Sequence, residues 1–447
     1  MNPSSIVGHV TELCERIDKS TQPSDAVAGT FFRDRRYLGS RDRRAIGEAA
    51  FGILRHRRYI ETLLEAYEDT HTEFKGPDLS SRYLPLYVIY ALACAGNGRE
   101  AIAEGTGSRW AMFYPAFPLA DVLSWVEQHA DLTQFSLDAD TFLGVKYSFQ
   151  DWMIRELRGA FGERLEALLT SLNTPATTTI RINTLKADRD DCKKRLLAEG
   201  IETELAPHSP SGLHLKKRFD RHTSAAFKDG WFEIQDEGSQ LVSFFASPAG
   251  GQFVIDGCAG AGGKSLHLAE LMGNTGEIYA IDSERRRLEE LNIRAARAGV
   301  GIIRVKLLSD INPEGFAGKA DLVLVDVPCS GSGTIRRNPS LKWTVTEQSV
   351  IQYASRQLEI LEYNAGFVRP GGSLCYATCS IFRRENEDVV RAFLERHPDF
   401  SVDMTEIHVQ GSGISFTDGT MRLSPHQHGT DGFFAARLRR SDSVSAG

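Results

Sequence analysis

The chain has 447 residues, with 52 basic against 59 acidic side chains, a formal net charge of −7, and 41% hydrophobic and 25% charged residues. That length asks for two or three domains, and that balance describes a folded soluble protein rather than a disordered chain. An acidic total gives no global argument for nucleic acid but leaves room for a local basic surface, while seven cysteines without a pattern exclude a disulfide framework.

The N-terminal stretch MNPSSIVGHVTELCERIDK lacks the charged start and apolar core of a signal peptide, so a cytoplasmic protein is expected. The longest apolar run, YVIYALACAG, falls well short of the roughly 20 residues a membrane span needs, and no membrane partner is expected. Residues 1–140 carry helical periodicity. Ile46, Ala49, Ala50, Ile53 and Leu54 recur at i, i+3, i+4, i+7 and i+8 and mark one buried stripe. Around it stand Arg33, Arg35, Arg36, Arg41, Arg43, Arg44, Arg55, Arg57 and Arg58. They read equally as a phosphate-binding surface or as a solvated helix face.

Residues 141–230 change character. WMIRELRGAFGERLEALLTSLN reads as helices, TTTIRINTL alternates as a strand, DRDDCKKRLLAEG is a helix closed by Gly200, and GLHLKK is a short strand. This predicts a small α+β subdomain of the kind that presents a sheet to RNA.

Residues 231–447 alternate strand and helix, the pattern of an α/β, doubly wound sheet. QFVID leads through a glycine-rich loop into SLHLAELM, stopped by Gly273. EIYAID is followed by ERRRLEELNIRAARA, stopped by Gly299, and IIRVKLL precedes DLVLVD. Thr344 and Glu347 are read as a capping box for a helix carrying Val350, Ile351, Ala354, Leu358 and Leu361 on one face. RPGG is read as the end of that helix, SLCYATCS as the returning strand, and SDSVSAG as a frayed tail.

The loop DGCAGAGGKS follows the first strand of this sheet and opens its first helix. Its glycines let backbone approach a ligand closely, and the helix start offers unpaired N–H groups. A Walker A loop needs glycine at 258, where Cys258 stands, and the dinucleotide pattern fails because Ser265 takes the place of its last glycine. What remains is a nucleoside-type cofactor held by Cys258, Ala259, Gly260, Ala261, Gly262, Gly263 and Lys264. Asp282, at the end of the second strand, is placed for ribose hydroxyls, and Asp310, after the third, for an adenine edge. The alternative is a tight turn with solvated acids.

Cys329 and Cys379 lie at the ends of the fourth and fifth strands, and Asp326 stands just before the first of them. Ligands in such a sheet lie beyond the strand carboxyl ends. Neighbouring strand ends are about 5 Å apart, so the two thiols and Asp326 are expected to converge. Cys375 and Cys379 would be about 13 Å apart along an extended strand, which excludes a shared metal. Cys375 is read as a buried strand thiol, and Cys14, Cys94 and Cys192 as ordinary helical ones.

Taken together, DGCAGAGGK, DVPCSGSGTIRRNP, YATCS and HGTDGFF resemble the Sun-type (RsmB-like) RNA (cytosine-5) methyltransferases, and FKDGWFEIQDEGSQ fits the same family. The arginine-rich helices resemble the NusB-like domain of its bacterial 16S rRNA members. The resemblance implies S-adenosyl-L-methionine on a Rossmann-like domain, held by the glycine loop with Asp282, Asp310 and Asp326. It implies Cys379 as the nucleophile that adds to carbon 6 of cytosine and Asp326 as the group that bonds the ring at N3. Cys329 would assist loss of the carbon-5 proton and release, and Lys264 would orient Asp326 or the base. Such a base must be unpaired or flipped out. Arg336, Arg337, Lys342 and Trp343 are candidates for gripping phosphate or stacking on a base, with a solvated loop as the alternative. DNA cytosine methylation is the rival chemistry, but by the family pattern it uses the Pro-Cys thiol alone. The expected partner is RNA, small-subunit ribosomal RNA first and tRNA second, acted on by a monomer. A catalytically idle assembly factor is the contrasting reading. One departure stands out: Ala261 occupies a position where the family usually has proline.

Overall fold

The stripe of Ile46, Ala50, Ile53 and Leu54 is buried on a helix spanning Ser40–Arg55. That helix belongs to the first of two compact units in the computed structural model, which describes residues 1–74, 79–217 and 219–442. Unit one comprises residues 1–174 with 335–345, and unit two residues 175–334 with 346–447. The part of the SDSVSAG tail from residue 443 onward lies outside the described residues.

Unit one is helical. Val7, Val10 and Leu13 of the helix Pro3–Asp18 share one apolar core with Ile46, Ile53, Leu63 and Val122. Several arginines of the cluster are committed inside this unit. Arg57 pairs with Asp18 at 2.8 Å and Glu61 at 2.9 Å, and Arg58 donates to Asp151 and to the Phe149 carbonyl, both at 2.6 Å. Buried Arg55 donates to the Arg336 carbonyl at 3.1 Å. Arg36 and Arg41 are exposed. The helices Ala139–Tyr147, Asp151–Phe161 and Leu165–Leu172 group with this unit, with Met153, Ile154, Leu157 and Leu168 buried on their apolar faces.

The segment 335–345 corrects one expectation. Lys342 is fully buried, and its ammonium donates to the carbonyls of Arg55 (2.9 Å) and Tyr147 (3.0 Å) and to Asn173 Oδ1 (2.5 Å). Trp343 Nε1 donates to the Leu54 carbonyl at 3.0 Å. Both side chains fasten helix ends within unit one; Lys342 is thereby withdrawn from phosphate, while Trp343 stays half-buried with only its indole N–H committed.

Unit two holds two main sheets. The smaller is antiparallel, in the order β2-β3-β1-β4, built from β1 (Thr179–Ile182), β2 (Thr203–Leu205), β3 (Gly212–Leu215) and β4 (Phe232–Ile234). The helix Arg189–Ala198 packs Cys192 and Leu196 into the same core. The larger sheet contains β5 (Phe253–Asp256), β6 (Glu277–Asp282), β7 (Ile303–Leu307), β8 (Ala320–Asp326) and β9 (Val368–Thr378). These run parallel in the order β9-β8-β5-β6-β7. After β10 (Phe400–Val402) and the small pair β11 (Ile407–His408) and β12 (Ser415–Phe416), the strands β13 (Thr420–Leu423) and β14 (Phe433–Arg440) complete the edge. There β14 lies antiparallel between β9 and β10. The order reverses at β5, which has β6 on one side and β8 on the other, so the loops after β5 and β8 open onto the switch-point crevice.

Two local expectations shift. The helix Glu347–Ala365 is capped by Thr346, whose hydroxyl accepts from Ser349 N at 3.1 Å while Ser349 Oγ accepts from Thr346 N at 3.0 Å. Thr344 instead ends the short turn Leu341–Thr344, which belongs to unit one. Ile351 is 46% exposed, so the buried face is narrower than the apolar spacing implies. RPGG does not end a helix but lies inside β9, where Gly371 adopts φ +69° and the pairing with β8 shifts register. Among the described residues no helix is long and apolar enough to cross a membrane.

Candidate functional site

β5 ends at Asp256, which sequence spacing did not single out. Its carboxylate is buried and accepts from Ser265 Oγ at 2.6 Å. Burial above all, with the nearby Asp326 charge, pushes it up to about 6 against the opposing Ser265 bond. The chain then makes the glycine loop. Gly262 sits at φ +84°, where a Cβ would lie 2.4 Å from Leu291 Cγ, so only glycine fits. Gly260, at φ +53°, has no heavy atom within 4 Å of where a Cβ would be, leaving open space against the loop for a ligand.

Asp282 closes β6 and holds this loop. Its two oxygens accept from Gly260 N and Glu284 N, each at 2.8 Å, and keep further lone pairs for a ligand. Arg294 donates to the Ala261 carbonyl at 2.6 Å and to Glu233 at 3.1 Å. Where proline would stiffen the loop, a side chain from the helix Arg285–Ala298 braces it instead. Buried Arg181 of β1 grips Glu270 with two bonds and donates to the Gly263 carbonyl at 2.8 Å. The small sheet thereby fixes the start of the helix Gly263–Leu271. Ala259 is buried and Cys258 half-buried, and burial raises the Cys258 thiol far above the usual range, so its sulfur is inert at neutral pH. Asp310 follows β7, whose last residue Leu307 lies in register with Asp282. It lies beyond the end of β7 in the turn Leu308–Asp310, exposed, with Ser309 Oγ donating to it at 2.8 Å.

The second half of the site forms where β8 and β9 end. Asp326 pairs with Lys264 at 2.5 Å, joining the cofactor loop to the Pro-Cys loop. Burial works against the Lys264 ammonium, but the Asp326 charge and hydrogen bond outweigh it and hold the amine above its ordinary range. Cys329 and Cys379 approach to 3.2 Å, sulfur to sulfur. The hydrogen bond with Cys379, then burial, then the charge on Cys379 and last that of Glu385 push the Cys329 thiol well up, so Cys329 carries its proton at neutral pH. Gly333 N donates to the Cys379 carbonyl at 2.9 Å and holds the two thiol loops together. Among the described residues no group of three or more His, Cys, Asp or Glu is placed to hold a metal ion.

Sequence reasoning missed Asp256, Arg294 and Glu385. The first had a readable signal, as the last residue of a strand entering a glycine loop. The other two sit in charge-rich helical stretches and look like surface residues.

The family model for 16S rRNA methyltransferase RsmB/F matches residues 244–439, and a ferredoxin-like domain model of the same family matches residues 149–222. A probable ribosomal RNA small subunit methyltransferase B of Synechocystis is 32% identical over 415 residues, 90% of this chain and 92% of its own. The chain belongs to the RsmB/F family. A probable small subunit methyltransferase B of Bacillus subtilis is 36% identical over 303 residues, 67% of this chain and 68% of its own. The crystal structure of PH0851 superposes with a TM-score of 0.77 at 28% identity, covering 98% of this chain and 99% of that one. As an RsmB/F-family protein the chain is an RNA methyltransferase that uses S-adenosylmethionine. The open face at Gly260, the braced loop and the free lone pairs of Asp282 fit that cofactor.

Proposed function

We propose that this protein methylates carbon 5 of a cytosine in small-subunit ribosomal RNA through a covalent adduct between Cys379 and carbon 6. The observation that carries the reading is the 3.2 Å approach of the two thiols at adjacent strand ends, beside the Asp326–Lys264 pair. Carbon 5 of cytosine is a weak nucleophile. The Cys379 thiolate adds to carbon 6, and the ring electrons pass to the N3 side, where Asp326 stabilises the change. Lys264 fixes the direction of the Asp326 carboxylate. S-adenosylmethionine supplies the electrophilic methyl group, which carbon 5 takes up. Once Cys329 has given up its own proton, its thiolate takes the proton from carbon 5, and the electrons of that bond expel the Cys379 thiolate and restore the aromatic ring.

Incubating the purified protein with isotope-labelled S-adenosylmethionine and undermethylated ribosomal RNA, followed by bisulfite sequencing, tests this. One newly resistant cytosine in small-subunit RNA is expected. Cys379→Ala should transfer nothing and form no adduct, whereas Cys329→Ala should methylate once and stall as a slower protein–RNA band on a denaturing gel. An adduct in Cys379→Ala, or none in Cys329→Ala, would overturn the roles. Label appearing only in tRNA would overturn the substrate.

A further inference from the structure

The loops that carry the two thiols are joined beneath the site by one buried carboxylate. Glu385 is fully buried in the turn Arg383–Glu385 that precedes the helix Glu387–Arg396. Its Oε1 accepts from Ser330 N at 2.8 Å and from Gln357 Nε2 at 3.0 Å. Its Oε2 accepts from Ser330 Oγ at 2.5 Å and from Ser380 Oγ at 2.6 Å. Ser330 directly follows Cys329, and Ser380 directly follows Cys379. All four donors are neutral, so the carboxylate is held by hydrogen bonds alone rather than by an opposing charge.

The surrounding bonds extend the same connection. Gln357 Nε2 also donates to the Pro328 carbonyl at 3.0 Å, so the residues on both sides of Cys329 are held. Asn386 accepts from Thr378 Oγ1 at 2.6 Å and donates to the Ser380 carbonyl at 3.0 Å, so the residues on both sides of Cys379 are held too. Tyr376 Oη donates to the Glu385 carbonyl at 2.5 Å and fixes its backbone. A core needing only stability could fill this place with apolar groups, because a buried carboxyl group needs every one of its hydrogen bonds made.

We infer that Glu385 is a positioning residue that sets the sulfur–sulfur approach of Cys329 and Cys379 by holding the residue after each of them. The inference rests on the two-thiol reading above for its link to turnover, but its geometric part does not. Glu385→Gln is nearly isosteric, but with its amide nitrogen in the place of Oε2 the hydroxyls of Ser330 and Ser380 must turn from donating to accepting. The two charge-assisted bonds that tie one thiol loop to the other become weaker neutral ones, and the spacing of the loops loosens.

The test reads geometry and turnover separately. Diamide oxidises a close dithiol to a disulfide and is itself reduced to the hydrazine, so its cross-linking rate reports the thiol approach without RNA or cofactor. The parent should form a Cys329–Cys379 disulfide, identified by peptide mass spectrometry under non-reducing conditions, and Glu385→Gln should do so at least tenfold more slowly. In methyl transfer, kcat should fall at least tenfold, with RNA KM and cofactor affinity within about twofold. Should Glu385→Gln not fold, Ser330→Ala and Ser380→Ala, each removing donors from one loop only, should each slow cross-linking and turnover at least threefold. Parent-like cross-linking and kcat in the folded variants would overturn the inference, as would a parent that does not cross-link. Fast parental cross-linking in a protein that methylates no cytosine would reject the reaction while leaving the positioning role standing.

Discussion

Asp256 offers a prediction in which sign and size both follow from the structure. The residue is 1% exposed at the end of β5, with Ser265 Oγ bonded to its carboxylate at 2.6 Å. Burial, assisted by the Asp326 charge, raises it from 3.8 to about 6 despite the Ser265 bond. A carboxyl whose folded-state value is raised binds its proton more tightly in the native than in the unfolded chain. Its contribution is therefore fully present below about pH 4 and is lost as pH rises through about 6. A shift of about two units at 1.36 kcal/mol each makes the ionised carboxylate cost about 3 kcal/mol at pH 8. Asn keeps the shape, cannot ionise, and leaves Ser265 free to rotate its hydroxyl toward the amide oxygen. Urea melts of the cofactor-free protein at pH 4, 6 and 8 should show the stability of Asp256→Asn rising relative to the parent by about 3 kcal/mol across that range. A difference that stays flat within about 0.5 kcal/mol would mean that Asp256 titrates normally and is not desolvated as described.

Three further outcomes follow from contacts already described. Asp282→Ala removes the acceptor of Gly260 N and the expected ribose partner. Cofactor affinity measured by calorimetry should drop by about 2–4 kcal/mol with RNA binding nearly unchanged, and affinity within twofold of the parent would reject the assignment. Lys342→Met leaves three buried oxygen acceptors without their donor. Chemical denaturation should show a loss of about 2–4 kcal/mol, while the salt dependence of RNA binding stays that of the parent. Reversing charge at exposed Arg36 and Arg41 should weaken RNA binding and lower the slope of log affinity against log salt by about 2. An unchanged slope would make those arginines a solvated face.

What the sequence disclosed and what it hid divide along a physical line. The glycine loop, Asp282, Asp326, Cys329 and Cys379 were legible because a doubly wound sheet sends its strand ends to one crevice, and chain order alone places them there. The Asp326–Lys264 pair and the sulfur approach needed coordinates only for their distances. Lys342 was misjudged because a lysine after a Pro-Cys loop looks solvated. Its burial depends on carbonyls at 55 and 147 and an amide at 173, which no local pattern announces. The Thr344–Glu347 spacing satisfied a capping rule that Thr346 and Ser349 satisfy in fact, because the chain leaves one compact unit and enters the other between 345 and 346. Glu385 stands in RRENED, a run that reads as surface. Only the return of Ser330 and Ser380 toward it makes it interior.

The two thiols raise a question of charge that the surrounding residues answer. Sulfurs 3.2 Å apart do not both ionise, because two like charges at that separation repel strongly in a partly dry site. At that separation the pair keeps at least one proton, and the proposed reaction requires that Cys329 be the sulfur that keeps it. Cys329 bonds Cys379, is desolvated, and faces the Glu385 carboxylate, and each of these favours its protonated form. A protonated Cys329 can donate to the Cys379 sulfur 3.2 Å away, an arrangement that suits the proposed reaction, in which Cys379 attacks while Cys329 does not. On the proposed reaction the same carboxylate fixes the distance between the thiols and adds to the difference between them. On that proposal two cysteines of equal kind play unequal parts because their surroundings differ.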